Sequence, residues 1–254
     1  MVTVETTNEI LFCLENNTIT KYIELVTMFL PLPPIIVKLK SIPKELLEKS
    51  QTKNLPLLQS GDDFISGTIP IIKYLIKSSK DIFDGINFNY REILYGKNIK
   101  EETKVDMWIN FIFSKIFPIT LELENQLYGK SEFDIRIFEY KLNDLLEILV
   151  EINEYLKLRT FLTSNHIQLC DIMLTCALHI CYNDLFTKNE WELIPNVIRL
   201  FKFVSNLGFY KEVFGSSIPC KKVKKAEMYI TPNNKEVKKE NEQKKNKETK
   251  KAHK

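Results

Sequence analysis

The sequence is short of the residues and runs that mark several large classes of protein. It contains three histidines and seven glycines among 254 residues, and its five cysteines include no Cys-x-x-Cys pair. It has no glycine-rich phosphate-binding motif and no His-Glu-x-x-His zinc motif. No apolar run approaches the roughly 18 residues that a membrane-spanning helix needs, and no basic region precedes the first apolar segment, as a secretory signal would require. We therefore expect no membrane contact and no phosphate or zinc chemistry.

The histidines and cysteines do not combine into a metal site. Of His166, His179 and His253, only His179 has two cysteines within five positions, at 176 and 181. Positions 176 and 179 would share one helix face, but two ligands are too few, so His179 is interpreted as a core histidine. An odd number of cysteines without paired spacing predicts reduced, mostly buried thiols in a cytoplasmic protein.

The net charge of +3 hides an asymmetry along the chain. Residues 221–254 contain thirteen lysines and five glutamates, a balance of +8, which leaves −5 for residues 1–220. This stretch has almost no apolar residues after Ile230, so it cannot bury enough surface to offset the entropy of ordering. We predict a disordered basic tail over 219–254. It would serve as a spacer or make weak, salt-sensitive contacts with RNA or acidic proteins.

The first 80 residues combine short strands with helices. Apolar runs bounded by turn residues predict strands, and apolar residues recurring every three or four positions predict helices. Thr18 is a candidate N-cap, and Thr68 caps a second helix with Pro70 in its first turn. The predicted order is β-α-β-(α)-β-β-α, with strands at 9–14, 34–39 and two within 54–66, and helices over 18–30 and from Thr68.

Residues 90–218 are predicted to be helical throughout. Pro118 should end or kink the first helix, and Pro195 should interrupt a later one. The stretch 166–186 is nearly all apolar, which is typical of a central buried helix. The predicted helices cover 100–117, 133–158, 166–186, 189–207 and 208–215.

This order of elements resembles the glutathione transferase fold, a thioredoxin-like α+β domain followed by an all-α bundle. Leu55 and Pro56, entering the strand pair, resemble the family's loop with a cis X-Pro bond. LRTFLTSNHIQLCDI, residues 158–172, resembles the family segment that ends in a buried aspartate. The resemblance implies that Asp171 caps its helix by accepting backbone N–H groups, although Gln168 stands where Ser or Thr is usual.

The resemblance also implies a glutathione site, but the residues that would build it have changed. In the family, a Tyr, Ser or Cys after the first strand lowers the pKa of the glutathione thiol. An acidic or amide residue followed by Ser binds the γ-glutamyl end. Here the first position offers only Thr18 or Thr20, and the second aligns with Gly67 and Thr68. Together with the Leu55–Pro56 loop, these residues would form a vestigial site. We expect weak or absent glutathione binding, no cofactor and no enzymatic activity; an active transferase using Thr18 or Thr20 is the alternative.

Two segments of the helical half are similar to non-catalytic members of the fold in translation. VDMWINF (105–111) and IPNVIRLFKFV (194–204) resemble segments of the gamma subunit of elongation factor 1, and the first also resembles modules appended to aminoacyl-tRNA synthetases. The resemblance implies a scaffold that binds elongation factor 1 subunits or, alternatively, aminoacyl-tRNA synthetases, as a homo- or heterodimer. The candidate interface residues are Met107, Trp108, Phe111, Phe113 and Arg199.

Overall fold

The computed structural model describes residues 9–15, 17–30, 33–78, 82–83, 86–87 and 89–221. Its first part contains four longer strands, β1 (Glu9–Leu14), β2 (Ile35–Leu39), β3 (Leu57–Ser60) and β4 (Asp63–Ser66), and a short pair, β5 (Ile82–Phe83) and β6 (Ile86–Asn87). The helices of this part are α1 (Thr18–Thr27), α2 (Lys44–Lys49) and α3 (Thr68–Ser78). Most of the predicted tail lies outside the described residues, which end at Lys221.

The four longer strands form one mixed sheet in the order β2-β1-β3-β4. The β1–β2 pair is parallel, with Leu11 opposite Ile36, and the other two pairs are antiparallel. Helix α1 connects the parallel pair, as a crossover must. Leu11 and Leu58, which are paired across β1 and β3, are fully buried, so this face of the sheet packs on the core.

The second part contains eight helices within the described residues. They are α4 (Tyr90–Tyr95), α5 (Ile99–Phe111), α6 (Phe117–Leu127), α7 (Ile135–Tyr155), α8 (Leu169–Ala177), α9 (Lys188–Leu193), α10 (Pro195–Ser205) and α11 (Gly208–Phe214). Two π-helical segments (112–116 and 181–185) and one 3-10 turn (156–158) join them. Every residue of α8 is buried, as its apolar composition predicts for a central helix. One hydrophobic core runs from β1 and α1 through α8 to α10.

Four predicted details are wrong. Asn17, and not Thr18, caps α1: its side-chain oxygen accepts the amide of Ile19 at 2.8 Å. Thr68 is likewise the first residue of α3 rather than its cap. The helix predicted over 18–30 ends at Thr27 in the structure. The helix predicted over 166–186 is divided into α8 and the π-helical segment 181–185. Pro118 does not end the helix: it lies in the first turn of α6, where a missing N–H costs no hydrogen bond.

Within the described residues no helix is long and apolar enough to cross a membrane. All five cysteines are free and buried.

Candidate functional site

Thr18 is bound to a carboxylate from the helical half of the chain. Its hydroxyl donates to both oxygens of Glu124 on α6, at 2.8 and 2.9 Å. Glu124 also pairs with Lys130, whose ammonium lies 3.5 Å away. The one hydroxyl that opens the first helix is therefore already used, and a negative charge lies where a bound thiolate would need a donor.

Thr20, the second candidate hydroxyl, is buried and donates to the carbonyl of Leu14 at 2.8 Å. It satisfies the backbone where β1 ends and has no second proton to give. The neighbouring thiol of Cys13 is also unsuited to chemistry, because burial raises its pKa to about 12 and keeps it protonated at neutral pH. The strand end thus carries no activated nucleophile.

The loop before β3 and the start of α3 lie together. The Leu55–Pro56 peptide bond is cis, and the carbonyl of Pro56 accepts the amide of Gly67 at 3.3 Å. Gly67 has φ of +96°, a conformation that side chains with a Cβ rarely adopt. The position therefore suits glycine, and an acidic or amide side chain here would carry backbone strain.

A cleft of about 920 Å³ lies between α1, α6, the end of α8 and the segment 216–221. Its polar groups are tied to one another: the hydroxyl of Tyr128 donates to Asp184 at 2.6 Å, and His179 lies 2.9 Å from the hydroxyl of Tyr210 and 3.0 Å from the amide of Asn183. Burial lowers the pKa of His179 to about 4, so the imidazole is neutral at pH 7. Both ring nitrogens of the half-buried His179 thus have partners within the fold, and this histidine is interpreted as structural.

Asp171 organises the turn before α8. Its carboxylate accepts the amides of Leu162 and Gln168, each at 2.9 Å, and the side chain is fully buried. Desolvation raises the pKa of Asp171 to about 6, although the two amide bonds act in the opposite direction. The residue fixes the chain on both sides of the 163–167 turn.

Metal binding has no support among the described residues, which contain no cluster of three or more His, Cys, Asp or Glu side chains able to hold an ion.

Comparison with known proteins finds sequence similarity to translation proteins. No family model matches the chain. Elongation factor 1-gamma 1 of Oryza sativa is 25% identical over 171 residues, 67% of this chain and 38% of that protein, and elongation factor 1-gamma of Danio rerio is 28% identical over 132 residues, 52% of this chain and 30% of that protein. Valine--tRNA ligase of Takifugu rubripes is 24% identical over 129 residues, 51% of this chain and 11% of that protein. The alignments span about a third or less of these relatives.

Solved structures decide the fold. The GST-like domain of elongation factor 1-gamma from Saccharomyces cerevisiae superposes with a TM-score of 0.72 at 17% identity, covering 87% of this chain and 99% of that chain. Poplar glutathione transferase F1 superposes with a TM-score of 0.70 at 16% identity, covering 81% and 95%. The fold is that of the glutathione transferases. The predicted fold class is confirmed, and so is the resemblance to the N-terminal region of elongation factor 1-gamma.

The candidate interface residues on α5 and in the π-helical segment after it differ in exposure within this glutathione transferase fold. Met107 is 56% exposed, whereas Trp108 is buried against Phe111 and Tyr155, with ring centroids 5.7 and 4.9 Å apart. Phe111 and Phe113 are half-buried. Met107 is the member of this group with the most surface to offer a partner.

Arg199 on α10 is engaged within the chain. Its guanidinium donates to the carbonyls of Leu156 and Arg159, at 3.1 and 2.5 Å, and to Asn196 at 3.1 Å. Leu156 opens the 3-10 turn that follows α7 and Arg159 comes directly after this turn; the Leu156 carbonyl also accepts the amide of Arg159 at 3.1 Å. Arg199 thus ties α10 to the turn that follows α7.

Sequence reasoning missed Glu124, the residue that most affects the vestigial site. The contact joins residues 106 positions apart, and a glutamate on a helix has no local pattern that predicts such a partner.

Proposed function

We propose that the chain is a non-catalytic assembly module of the translation apparatus, similar to elongation factor 1-gamma, and that it helps scaffold the complex of elongation factor 1 subunits in the cytoplasm. The hydrogen bond between Thr18 and Glu124 is the observation that supports the absence of catalysis in this proposal. A transferase needs a free donor for the glutathione thiolate, and this donor is paired with a carboxylate. Gly67 adds a second defect, because no side chain is present to bind the γ-glutamyl end.

The translation part rests on the relatives. Rice and zebrafish elongation factor 1-gamma align with half or more of this chain. The alignments span a minor part of those proteins. A role for this chain in the same assemblies is therefore a proposal. The module would act by binding, with Met107 and the half-buried Phe111 and Phe113 forming one contact surface.

A co-purification experiment tests the scaffold. The tagged chain is mixed with the recombinant alpha and beta subunits of elongation factor 1 from the same organism, and retention is measured. Met107→Glu should weaken retention, because it places a charge on the proposed contact surface. Ile99→Glu is the matched control, since Ile99 is 78% exposed on the same helix and outside the proposed group. A strictly monomeric chain that retains neither subunit would contradict the proposal.

Glutathione titration calorimetry and a transferase assay with 1-chloro-2,4-dinitrobenzene test the non-catalytic part separately. Neither saturable binding nor turnover above the background rate is expected. Saturable binding with turnover would revive the active transferase.

A module linked to an aminoacyl-tRNA synthetase is the second candidate, and the alignment with valine--tRNA ligase favours it. The same tagged chain would then retain a synthetase in preference to the elongation factor subunits.

A further inference from the structure

A second cleft, of about 810 Å³, lies on the helical half between the start of α9, one face of α10 and the segment 219–221. The segment is pinned to the fold, because the amide of Cys220 donates to the carbonyl of Tyr182 at 2.9 Å and that of Ile218 donates to the side chain of Asn183 at 3.1 Å. The cleft therefore has two helical walls and one fixed wall of extended chain. None of the candidate residues discussed above lines it.

The floor of this cleft is apolar and aromatic. Tyr182, Trp191 and Ile198 line it. The Tyr182 ring stacks on Phe201 at 4.6 Å, and the indole N–H of Trp191 donates to the carbonyl of Phe186 at 3.1 Å. Both rings are held by neighbours and are only 7 to 8% exposed. Such a floor can receive an apolar side chain, but it does not present a free ring face on which a nucleic-acid base could stack.

The rim of the cleft is cationic. Lys188, Lys202 and Lys221 line it, and no described residue that lines it is acidic. Lys188 has a neighbour of opposite charge in Glu192 at 3.4 Å, but both side chains are well exposed, so this pair holds the ammonium weakly. The sequence continues from Lys221 with Lys222, Lys224 and Lys225. Three lysines of the described residues thus border this cleft, although residues 1–220 carry a net charge of −5.

We propose that this cleft, which we call the lysine-rimmed cleft (Tyr182, Lys188, Trp191, Ile198, Lys202 and Lys221), docks an acidic segment of another protein that inserts one apolar anchor side chain. Charge complementarity selects the acidic segment, and carboxylates would pair with the rim lysines. The apolar floor selects the anchor, since buried hydrophobic anchors carry most of the affinity at such sites. RNA would use the lysines but leave the floor empty.

The test uses the full chain and two fluorescein-labelled peptides in anisotropy titrations. One peptide, EDDELFDEED, has a central Leu-Phe pair in an acidic frame; its match, EDDEAADEED, has Ala-Ala. The Leu-Phe peptide should bind roughly tenfold or more tightly, because burying a large apolar side chain stabilises a complex by about 1.5–3 kcal/mol. The Lys-rich tail attracts both peptides equally, so the ratio of the two affinities isolates the cleft.

Charge-reversal variants locate the site. Lys188→Glu/Lys202→Glu should abolish the preference for the Leu-Phe peptide. Lys100→Glu/Lys104→Glu, the same charge change at two exposed positions of α5, should retain it. Equal binding of the two peptides, no binding of either, or equal loss in both double variants would overturn the proposal. Displacement of the Leu-Phe peptide by an oligouridine that binds the same lysines more tightly would also overturn it and assign the cleft to RNA.

Discussion

Asp171 is the buried charge whose removal should cost the most stability. In Asp171→Ala the amides of Leu162 and Gln168 lose their shared acceptor in a site closed to water. Each unsatisfied buried donor costs about 1–3 kcal/mol, so for two donors we expect a loss of roughly 2–6 kcal/mol in the free energy of unfolding, measured by urea denaturation at pH 7. Asp134→Asn is the control: Asp134 caps α7 by accepting the amide of Arg136 at 2.9 Å, and asparagine caps equally well. A similar loss in both variants would contradict the assigned role.

His179 should make the stability of the fold depend on pH. Its pKa is about 4 in the folded chain and 6.5 ordinarily, so between these values the unfolded chain binds a proton that the folded chain does not. The contribution of His179 to the free energy of unfolding should therefore fall by up to about 3 kcal/mol as pH drops through this window, and be constant above it. Asp171 opposes this trend, because its folded pKa of about 6 exceeds the usual 3.8.

The difference between the wild type and His179→Gln isolates the histidine. The advantage of the wild type over this variant should shrink as pH falls from about 6.5 to 4. A difference that does not change with pH would show that the imidazole is not kept neutral by the fold.

Helices α3, α4 and α5 are joined by Glu102. Its carboxylate accepts Arg91 at 2.8 Å and Lys77 at 3.1 Å, and the hydrogen bond from Arg91 is the main reason that its pKa is lowered from 4.5. Glu102→Gln should cost about 1–2 kcal/mol at pH 7, measured by urea denaturation. Because the folded pKa is depressed, this stabilisation is present above pH 4.5 and is lost as pH falls through the lower folded value.

Glu122 provides the comparison for this link. It pairs with Lys141 at 3.2 Å between α6 and α7, with side chains 39% and 31% exposed. Exposed pairs of this kind contribute about 0–1 kcal/mol, so Glu122→Gln should be the milder change. An equal cost would mean that burial of Glu102 adds nothing.

The elements were predictable where one pattern governs a segment. The apolar run 9–14 gives β1 with its observed ends, and the apolar stripe of 133–158 gives α7 and the turn after it. Prediction was less accurate where tertiary packing overrides the local pattern. Pro118 was predicted to end or kink the helix. In the structure the π-helical segment 112–116 precedes it, and the chain continues as α6.

In the candidate site, the positions of the residues were predictable, but their contacts were not, for the same reason. Thr18, Thr20 and Gly67 could be located from their order along the chain. The hydrogen-bond partners of the two threonine hydroxyls could not be predicted. Glu124 and the Leu14 carbonyl come within reach of these hydroxyls only when the helices and the strand pack together. The N-cap of α1 was also ambiguous in the sequence, because an asparagine and a threonine are adjacent there and both residue types favour the N-cap position.

The molecule as a whole separates an acidic folded part from basic residues at its end. Residues 222–254 contain twelve lysines and five glutamates, a balance of +7, so truncation after Lys221 changes the net charge from +3 to −4. Every member of the hydrophobic core precedes Lys221. We therefore expect the thermal unfolding midpoint of the truncated chain to lie within about 2 °C of that of the full chain.

The same truncation should abolish binding to RNA. The full chain should bind a labelled single-stranded oligonucleotide weakly, with an affinity that falls linearly with salt on logarithmic axes, because each lysine–phosphate contact releases a counterion. The truncated chain, with net charge −4, should show no binding at low salt in the same anisotropy assay. Retention of RNA affinity after truncation would place the contact on the folded part. In that case the rim lysines Lys188 and Lys202 would be the first positions to reverse, since they border a cleft whose described lining contains no acidic residue.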